Sequence, residues 1–164
     1  MTGLMPLSPA DETFAEACAR RVPPDRIRTA EPRYLEEPRD RWRGMSRFVA
    51  LPRTVEEVAE IVKAAGEAQV GLLPYGGGTG LVAGQVALEE PAPLLLSLEK
   101  MSAIRTGHAE ENVLVTEAGA ILADVQAAAL GAGRLFPLSI AAEGAARIGG
   151  VLSTEAGGGG VVRD

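Results

Sequence analysis

Apolar residues recur at helical spacing in two stretches of the chain and gather in short blocks elsewhere. The clearest stretch follows Thr54. Val55, Val58, Ala59, Ile61, Val62 and Ala65 fall on one side, with Glu56, Glu60, Lys63 and Glu67 opposite. Thr54-Val55-Glu56-Glu57 in front reads as a capping box, with Thr at the N-cap and Glu at the third helical position. This helix is predicted to end near Ala68. The second stretch is residues 121–130, with Ile121, Leu122, Val125, Ala129 and Leu130 as its apolar side and Gly131 and Gly133 as its stop. Ser8-Pro9-Ala10-Asp11 predicts another helix, with Ser8 as N-cap and Pro9 at the first helical position, running to about Arg20 before Pro23-Pro24.

The short blocks, residues 48–51, 70–73, 94–98 and 113–116, read as strands. Residues 105–111 are charged and read as a turn between the last two. Strand, helix and strand over residues 48–73 make a βαβ unit, so the fold class is α/β or α+β. Residues 23–47 carry many charges and prolines and are expected to wrap a surface without regular structure. The organisation expected is therefore an N-terminal helix and charged segment, residues 1–47, followed by a domain over residues 48–164.

A glycine cluster follows the second strand. Residues 73–85 read LPYGGGTGLVAGQ, and the carboxyl end of a strand is where open α/β sheets place ligands. Glycines there bare backbone amides and allow close approach of a phosphate or pyrophosphate. A P-loop would place Lys-Ser/Thr after its last glycine, but Gly80 precedes Leu81-Val82. A Rossmann fingerprint counted from Gly76 ends wrongly at Leu81. Counted from Gly78 it ends at Ala83, where Gly84 and Pro91 make a poor helix opening.

Composition narrows the partners. The chain of 164 residues is 46% apolar but only 4% aromatic, so Ala, Leu, Val and Ile must build the core. The net charge of −6 argues against nucleic acid, although residues 20–53 hold ten arginines against five acids. Glu31, Glu36, Glu37 and Asp40 interrupt those arginines, which points to intramolecular pairing or solvation. One cysteine, Cys18, excludes an internal disulfide and any multi-cysteine metal site, and its alanine neighbours suggest a packed residue. Neither a signal-peptide pattern nor an apolar run of membrane-spanning length is present, so a cytoplasmic location without a membrane span is expected.

A second constellation runs from Leu135 as LFPLSIAAEGAARIGGVLSTEAGGGG. Glycine turns flank Ile148, and Ser153-Thr154 lead into Gly157-Gly158. Hydroxyls and exposed amides so arranged can hydrogen-bond a planar polar ring or a diphosphate.

Together LLPYGGGTGLVAGQV and GRLFPLSIAAEGAARIGGVLSTEAGG resemble the flavin-binding half of the vanillyl-alcohol-oxidase type flavoproteins, which carry a PCMH-type FAD-binding domain. The nearest branch is the FAD-linked D-2-hydroxyacid dehydrogenases. YLEEPRDRWRG (residues 34–44) and LPRTVEEVAEIV resemble that branch too. The resemblance implies the first βαβ subdomain of such a domain plus part of the second, truncated, with FAD held non-covalently. Gly76, Gly77, Gly78, Thr79, Gly80 and Leu81 would cradle the pyrophosphate. Pro137, Leu138, Ser139, Gly144, Ile148, Gly149, Gly150, Ser153, Thr154, Gly157 and Gly158 would line the flavin and ribityl side. Some relatives attach the flavin through a loop histidine, but the corresponding position here is Gly78. The sole histidine, His108, lies outside both loops and is expected to have no role.

Three departures from the pattern stand out. Position 155 is Glu where relatives have Asn in Thr-Asn-Ala-Gly-Gly, and a carboxylate beside the flavin would disfavour its anionic reduced form. Position 78 is Gly where this branch often has Asn. The chain reads Val161-Val162-Arg163-Asp164 where relatives continue into the rest of the FAD domain and a cap. The activity implied is oxidation of a D-2-hydroxyacid, of the lactate, 2-hydroxyglutarate or glycolate class, to a 2-oxoacid. No catalytic or metal-binding residue is assigned. The chain alone is expected to be catalytically silent, to hold FAD weakly or not at all, and to associate with a cap or another subunit. The alternative is a non-catalytic nucleotide-binding or interaction fragment.

Overall fold

The computed structural model describes residues 6–158. The chain divides into two compact units, residues 1–98 and 99–164. The first holds helix α1 (Glu12–Ala19), strands β1 (Ile27–Thr29) and β2 (Phe48–Ala50), helix α2 (Val55–Ala68), and strands β3 (Leu72–Tyr75) and β4 (Leu94–Ser97). They form a mixed sheet in the order β1-β2-β4-β3, with β1 antiparallel to β2 and β4 parallel to both β2 and β3. The expected βαβ unit is thus present, with β4 inserted between its two strands.

β4 is buried along its whole length, as a central parallel strand covered on both faces should be. Its side chains alternate between two cores. Leu94 and Leu96 join Phe14, Cys18, Ile61, Ala64 and Ala65 beneath α1 and α2. Leu95 joins Tyr34, Val49, Leu51 and Tyr75 on the other face. Cys18 is fully buried, and burial raises its thiol pKa.

α2 has the predicted bounds, and the Thr54 hydroxyl accepts the Glu57 amide at 3.2 Å. The reciprocal half of the capping box goes elsewhere. The Glu57 carboxylate takes the Arg53 amide at 2.6 Å and Arg26 Nε at 2.9 Å. Arg21–Glu67 and Arg47–Glu12 are also paired, so several arginines of that segment are matched within the chain.

Three expectations in this unit need correction. α1 starts at Glu12, and Asp11, not Ser8, is its N-cap, accepting the Phe14 amide at 2.9 Å. Ser8 is held extended because its amide donates to the Gln69 carbonyl at 2.8 Å. β3 starts two residues late because the Val70 amide turns back to the Ala65 carbonyl and finishes α2. Residues 23–47 are not irregular throughout. β1 pairs Ile27 with Ala50, and Glu37 accepts the amides of Arg39 and Arg41 to close a compact loop.

The second unit holds an antiparallel pair, β5 (Ile104–His108) and β6 (Val113–Thr116), then helix α3 (Leu122–Gly131) and the short helix α4 (Ile148–Ser153). Its core joins Ala120, Leu122, Val125, Ala146, Ile148 and Val151. β5 replaces the expected charged turn; it is mostly exposed and held by backbone pairing with β6. α3 ends where expected, but Gly131 lies inside it. Gly133, at φ +68°, makes the turn. Its amide reaches the Leu130 carbonyl and the Arg134 amide the Ala129 carbonyl, a Schellman ending.

Candidate functional site

In the first unit, residues 76–82 leave the carboxyl end of β3 as an irregular loop. Among the described residues, no hydrogen-bond acceptor meets the backbone amides of residues 76–82. Their carbonyls are treated differently. The Gln85 side-chain amide donates to the Gly80 carbonyl at 2.7 Å and to the Gly78 carbonyl at 3.4 Å. Gln85 is itself buried. Gly78 is left-handed at φ +69°, and a Cβ there would overlap the Tyr75 hydroxyl. That hydroxyl donates to the Arg33 carbonyl at 2.9 Å, and the Tyr75 ring meets Tyr34 edge-on at 5.2 Å. With Tyr75 so held, only glycine fits at position 78. A run of bare amides beside inward carbonyls is a cradle for a doubly charged anionic group. Gly76, Gly77, Gly78 and Thr79 are half-buried, while Gly80 and Leu81 are exposed.

In the second unit the expected residues fall into two groups. Several are occupied by their own fold. The Ile148 amide donates to the Ala120 carbonyl at 3.0 Å and the Gly149 amide to the Ala118 carbonyl at 2.7 Å. A Cβ on Gly149 would stand 2.8 Å from Ala118 Cβ, so this glycine permits close packing. The Ser153 and Thr154 hydroxyls donate back to the Gly149 and Gly150 carbonyls at 2.7 and 2.8 Å. A Cβ on Gly158 (φ +59°) would overlap the Ser139 carbonyl, which brings residues 139 and 158 together. Gly144 and Gly150, by contrast, have nothing within 4 Å of an added Cβ. Pro137 and Ser139 are exposed, and Leu138 and Gly157 are half-buried. Of the glycine run at residues 157–160 only Gly157 and Gly158 are among the described residues, and the Val161–Asp164 stretch lies outside them.

Glu143 was not singled out by sequence. Hydrogen bonding from the Ser139 hydroxyl, then from the Gln126 side chain, holds its carboxyl below the usual glutamate range, with burial opposing. Gln126 also donates to the Leu138 carbonyl at 2.6 Å. Glu155 is exposed and sits at φ +49°, where the chain leaves α4, and the Ala156 amide bonds back to the Val151 carbonyl. A left-handed helix end tolerates Asn or Gly best, which gives a backbone reason for the Asn of the resembling pattern. Among the described residues no cluster of His, Cys, Asp or Glu could hold a metal, and His108 is exposed on β5. A groove of about 740 Å³ between the β5–β6 pair and α3 is lined by Arg105, Asn112, Ala128, Arg134 and Phe136. None of the expected site residues lines it.

The profile of the FAD binding domain family matches residues 46–164. The chain belongs to that family. Within the family it is 40% identical over 146 residues to a D-2-hydroxyglutarate dehydrogenase of Xanthomonas citri, covering 87% of this chain and 30% of that protein. It is 35% identical to the mitochondrial D-2-hydroxyglutarate dehydrogenase of Bos taurus, covering 87% of this chain and 26% of the relative. The chain therefore spans about a third or less of these relatives. A solved alkyldihydroxyacetonephosphate synthase shares the fold, with a TM-score of 0.76 at 16% identity over 93% of this chain and 30% of its own. The expected mixed α/β, PCMH-type FAD-binding fold is the one observed, and FAD is the family's cofactor. The loop at residues 76–82 fits a dinucleotide: its free amides and the position where any Cβ would collide suit a close-lying pyrophosphate.

The cytoplasmic expectation is overturned. The Bos taurus relative and those of Schizosaccharomyces pombe, Oryza sativa and Arabidopsis thaliana are mitochondrial by name, alongside the bacterial one. No described helix is long and apolar enough to cross a membrane.

Sequence reasoning missed Tyr75, Gln85 and Glu143. Tyr75 and Gln85 bracket the glycines directly, and an aromatic and an amide flanking a glycine run was the signal available. Glu143 carried no such mark.

Proposed function

We propose that this chain is the FAD-binding portion of a flavin-dependent oxidoreductase that converts a D-2-hydroxyacid of the lactate, 2-hydroxyglutarate or glycolate class to a 2-oxoacid. The observation that carries the reading is the run of unclaimed amides at residues 76–82, inside a match to an FAD-binding family. The names of the relatives support the substrate class. The family match beginning at residue 46 supports residues 48–164 as the flavin-binding portion.

FAD, when bound, supplies the hydride acceptor; the protein supplies binding, orientation and electrostatics. The amides of Gly76, Gly77, Gly78, Thr79, Gly80 and Leu81 would neutralise the pyrophosphate. In the second unit the open positions Gly144 and Gly150, with Pro137, Leu138 and Ser139, serve the flavin and ribityl side. Ile148, Gly149, Ser153, Thr154, Gly157 and Gly158 shape that surface from behind. No residue of the glycine loop offers an imidazole, which supports non-covalent binding. No residue of this chain is given a catalytic role.

The test is to titrate the purified chain with FAD and ATP, then denature it and identify what is released. Expected is weak but saturable FAD binding, as befits a chain that spans a third or less of its relatives, with free FAD recovered after denaturation. Binding of ATP in preference to FAD, or of neither, overturns the reading.

A further inference from the structure

We infer that Tyr75 and Gln85 are positioning residues that hold the glycine loop in its pyrophosphate-binding form. This rests on the FAD reading above and deepens it. A glycine-rich loop left to itself samples many backbone states, and its amides and carbonyls are equally free to face a ligand. Carbonyl oxygens facing a pyrophosphate would repel it. Gln85 removes that alternative. Its buried side-chain amide draws the Gly78 and Gly80 carbonyls inward, while no acceptor among the described residues takes the amides of residues 76–82. Its oxygen also lies where a Cβ on Gly80 would fall, at 2.8 Å.

Tyr75 sets the other end. Its hydroxyl is anchored on the Arg33 carbonyl and fills the space that any side chain at position 78 would need. Its ring is wedged against Tyr34, so it cannot swing aside freely. The loop therefore meets the cofactor already ordered, and affinity gains by the ordering cost avoided.

Gln85→Leu in the full chain keeps the bulk and removes both donors. Binding of FAD, ADP and riboflavin is measured by calorimetry and flavin fluorescence, with circular dichroism as the folding control. ADP and FAD share the pyrophosphate, and riboflavin lacks it. We expect at least a tenfold loss for FAD and ADP with riboflavin within twofold of the parent chain. Unchanged FAD and ADP binding overturns the inference, as does an equal loss for riboflavin, which marks a general structural defect. If the parent chain binds neither FAD nor ADP, it is the FAD reading that fails.

Should Gln85→Leu not fold, the Tyr75 arm decides. Gly78→Ala is expected to weaken FAD binding at least threefold more in the parent chain than in a Tyr75→Phe background, where the blocking hydroxyl is gone. Equal losses in the two backgrounds overturn the role given to Tyr75.

Discussion

Residues 76–82 and residues 144–158 are both rich in glycine and follow one another in the family pattern, yet their backbones are employed differently. In the first, the amides stay unclaimed while Gln85 takes the carbonyls. In the second, the amides of Ile148 and Gly149 pack onto Ala120 and Ala118, and the Ser153 and Thr154 hydroxyls close on their own helix. Glycine in the first region gives a bare surface and a left-handed turn. Glycine at 149 and 158 gives close approach of one backbone segment to another. The same residue type thus leaves a bare-amide surface in one place and makes a packing joint in the other.

The sharpest way to break this contrast is a matched pair of substitutions. Gly78→Ala puts a Cβ at φ +69° against the Tyr75 hydroxyl and is expected to cost about 2 kcal/mol of stability. It should also weaken FAD binding at least tenfold in the protein that remains folded. Gly149→Ala meets Ala118 Cβ at 2.8 Å and is expected to cost a similar amount, about 2 kcal/mol, by overpacking. Its folded fraction should bind FAD within threefold of the parent chain. Urea unfolding and flavin titration measure both. If Gly149→Ala loses FAD as completely as Gly78→Ala, the second region offers its amides to the ligand and the contrast fails.

The part of this arrangement that sequence revealed is the part written in local pattern. α2 was legible because its apolar spacing and Thr54 cap lie within one stretch, and the glycine loop because glycines are dense there. β1 and β5 were hidden for a physical reason. Each is short, mostly exposed and held by backbone pairing to a neighbour, so its side chains carry no alternation to read. The reciprocal capping bond of Glu57 was diverted by Arg26, 31 positions away. Whether a glycine amide is free depends on which carbonyl arrives from elsewhere in the chain, as Ala118 does for Gly149. Composition within a motif is silent on that.

Acid should separate the two regions next. The Glu143 carboxyl is held low by Ser139 and Gln126, whereas the bonds that shape residues 76–82 involve no carboxylate. A folded value below the unfolded one means the contribution is present above the unfolded range and lost as pH falls through the folded value. On acidification below the usual glutamate range, residues 139–143 should lose hydrogen-exchange protection before the Gln85–Gly80 clamp changes. Glu143→Gln should remove that pH dependence. The Arg26–Glu57 pair will lower global stability over the same range, since hydrogen bonds from Arg26 and the Arg53 amide outweigh burial and hold Glu57 low. A pH response of residues 139–143 that persists in Glu143→Gln would assign it to another group.

The smallest expected effect tests the helix ends that lead into and out of the two regions. α2 stops at Gln69 (φ +55°) shortly before β3 and the glycine loop, and α4 stops at Glu155 (φ +49°). Both turns close with the same paired bonds: Val70 to Ala65 and Gln69 to Gly66 in one, Ala156 to Val151 and Glu155 to Leu152 in the other. Each therefore forces a side chain into a conformation that glycine adopts without penalty. Gln69→Gly and Glu155→Gly are each expected to stabilise the chain by about 0.5–1 kcal/mol. Glu155→Gly should gain slightly more, because a carboxylate at a helix C-terminus opposes the helix dipole. Glu155→Asn separates the two causes: it removes the charge and better tolerates the left-handed turn while keeping a side chain, so its gain should fall just below that of Gly. Thermal unfolding reads all three. A neutral or destabilising Glu155→Gly would mean that the residue at 155 is fixed by something other than the turn, and that Asn in the relatives serves the ligand, not the backbone.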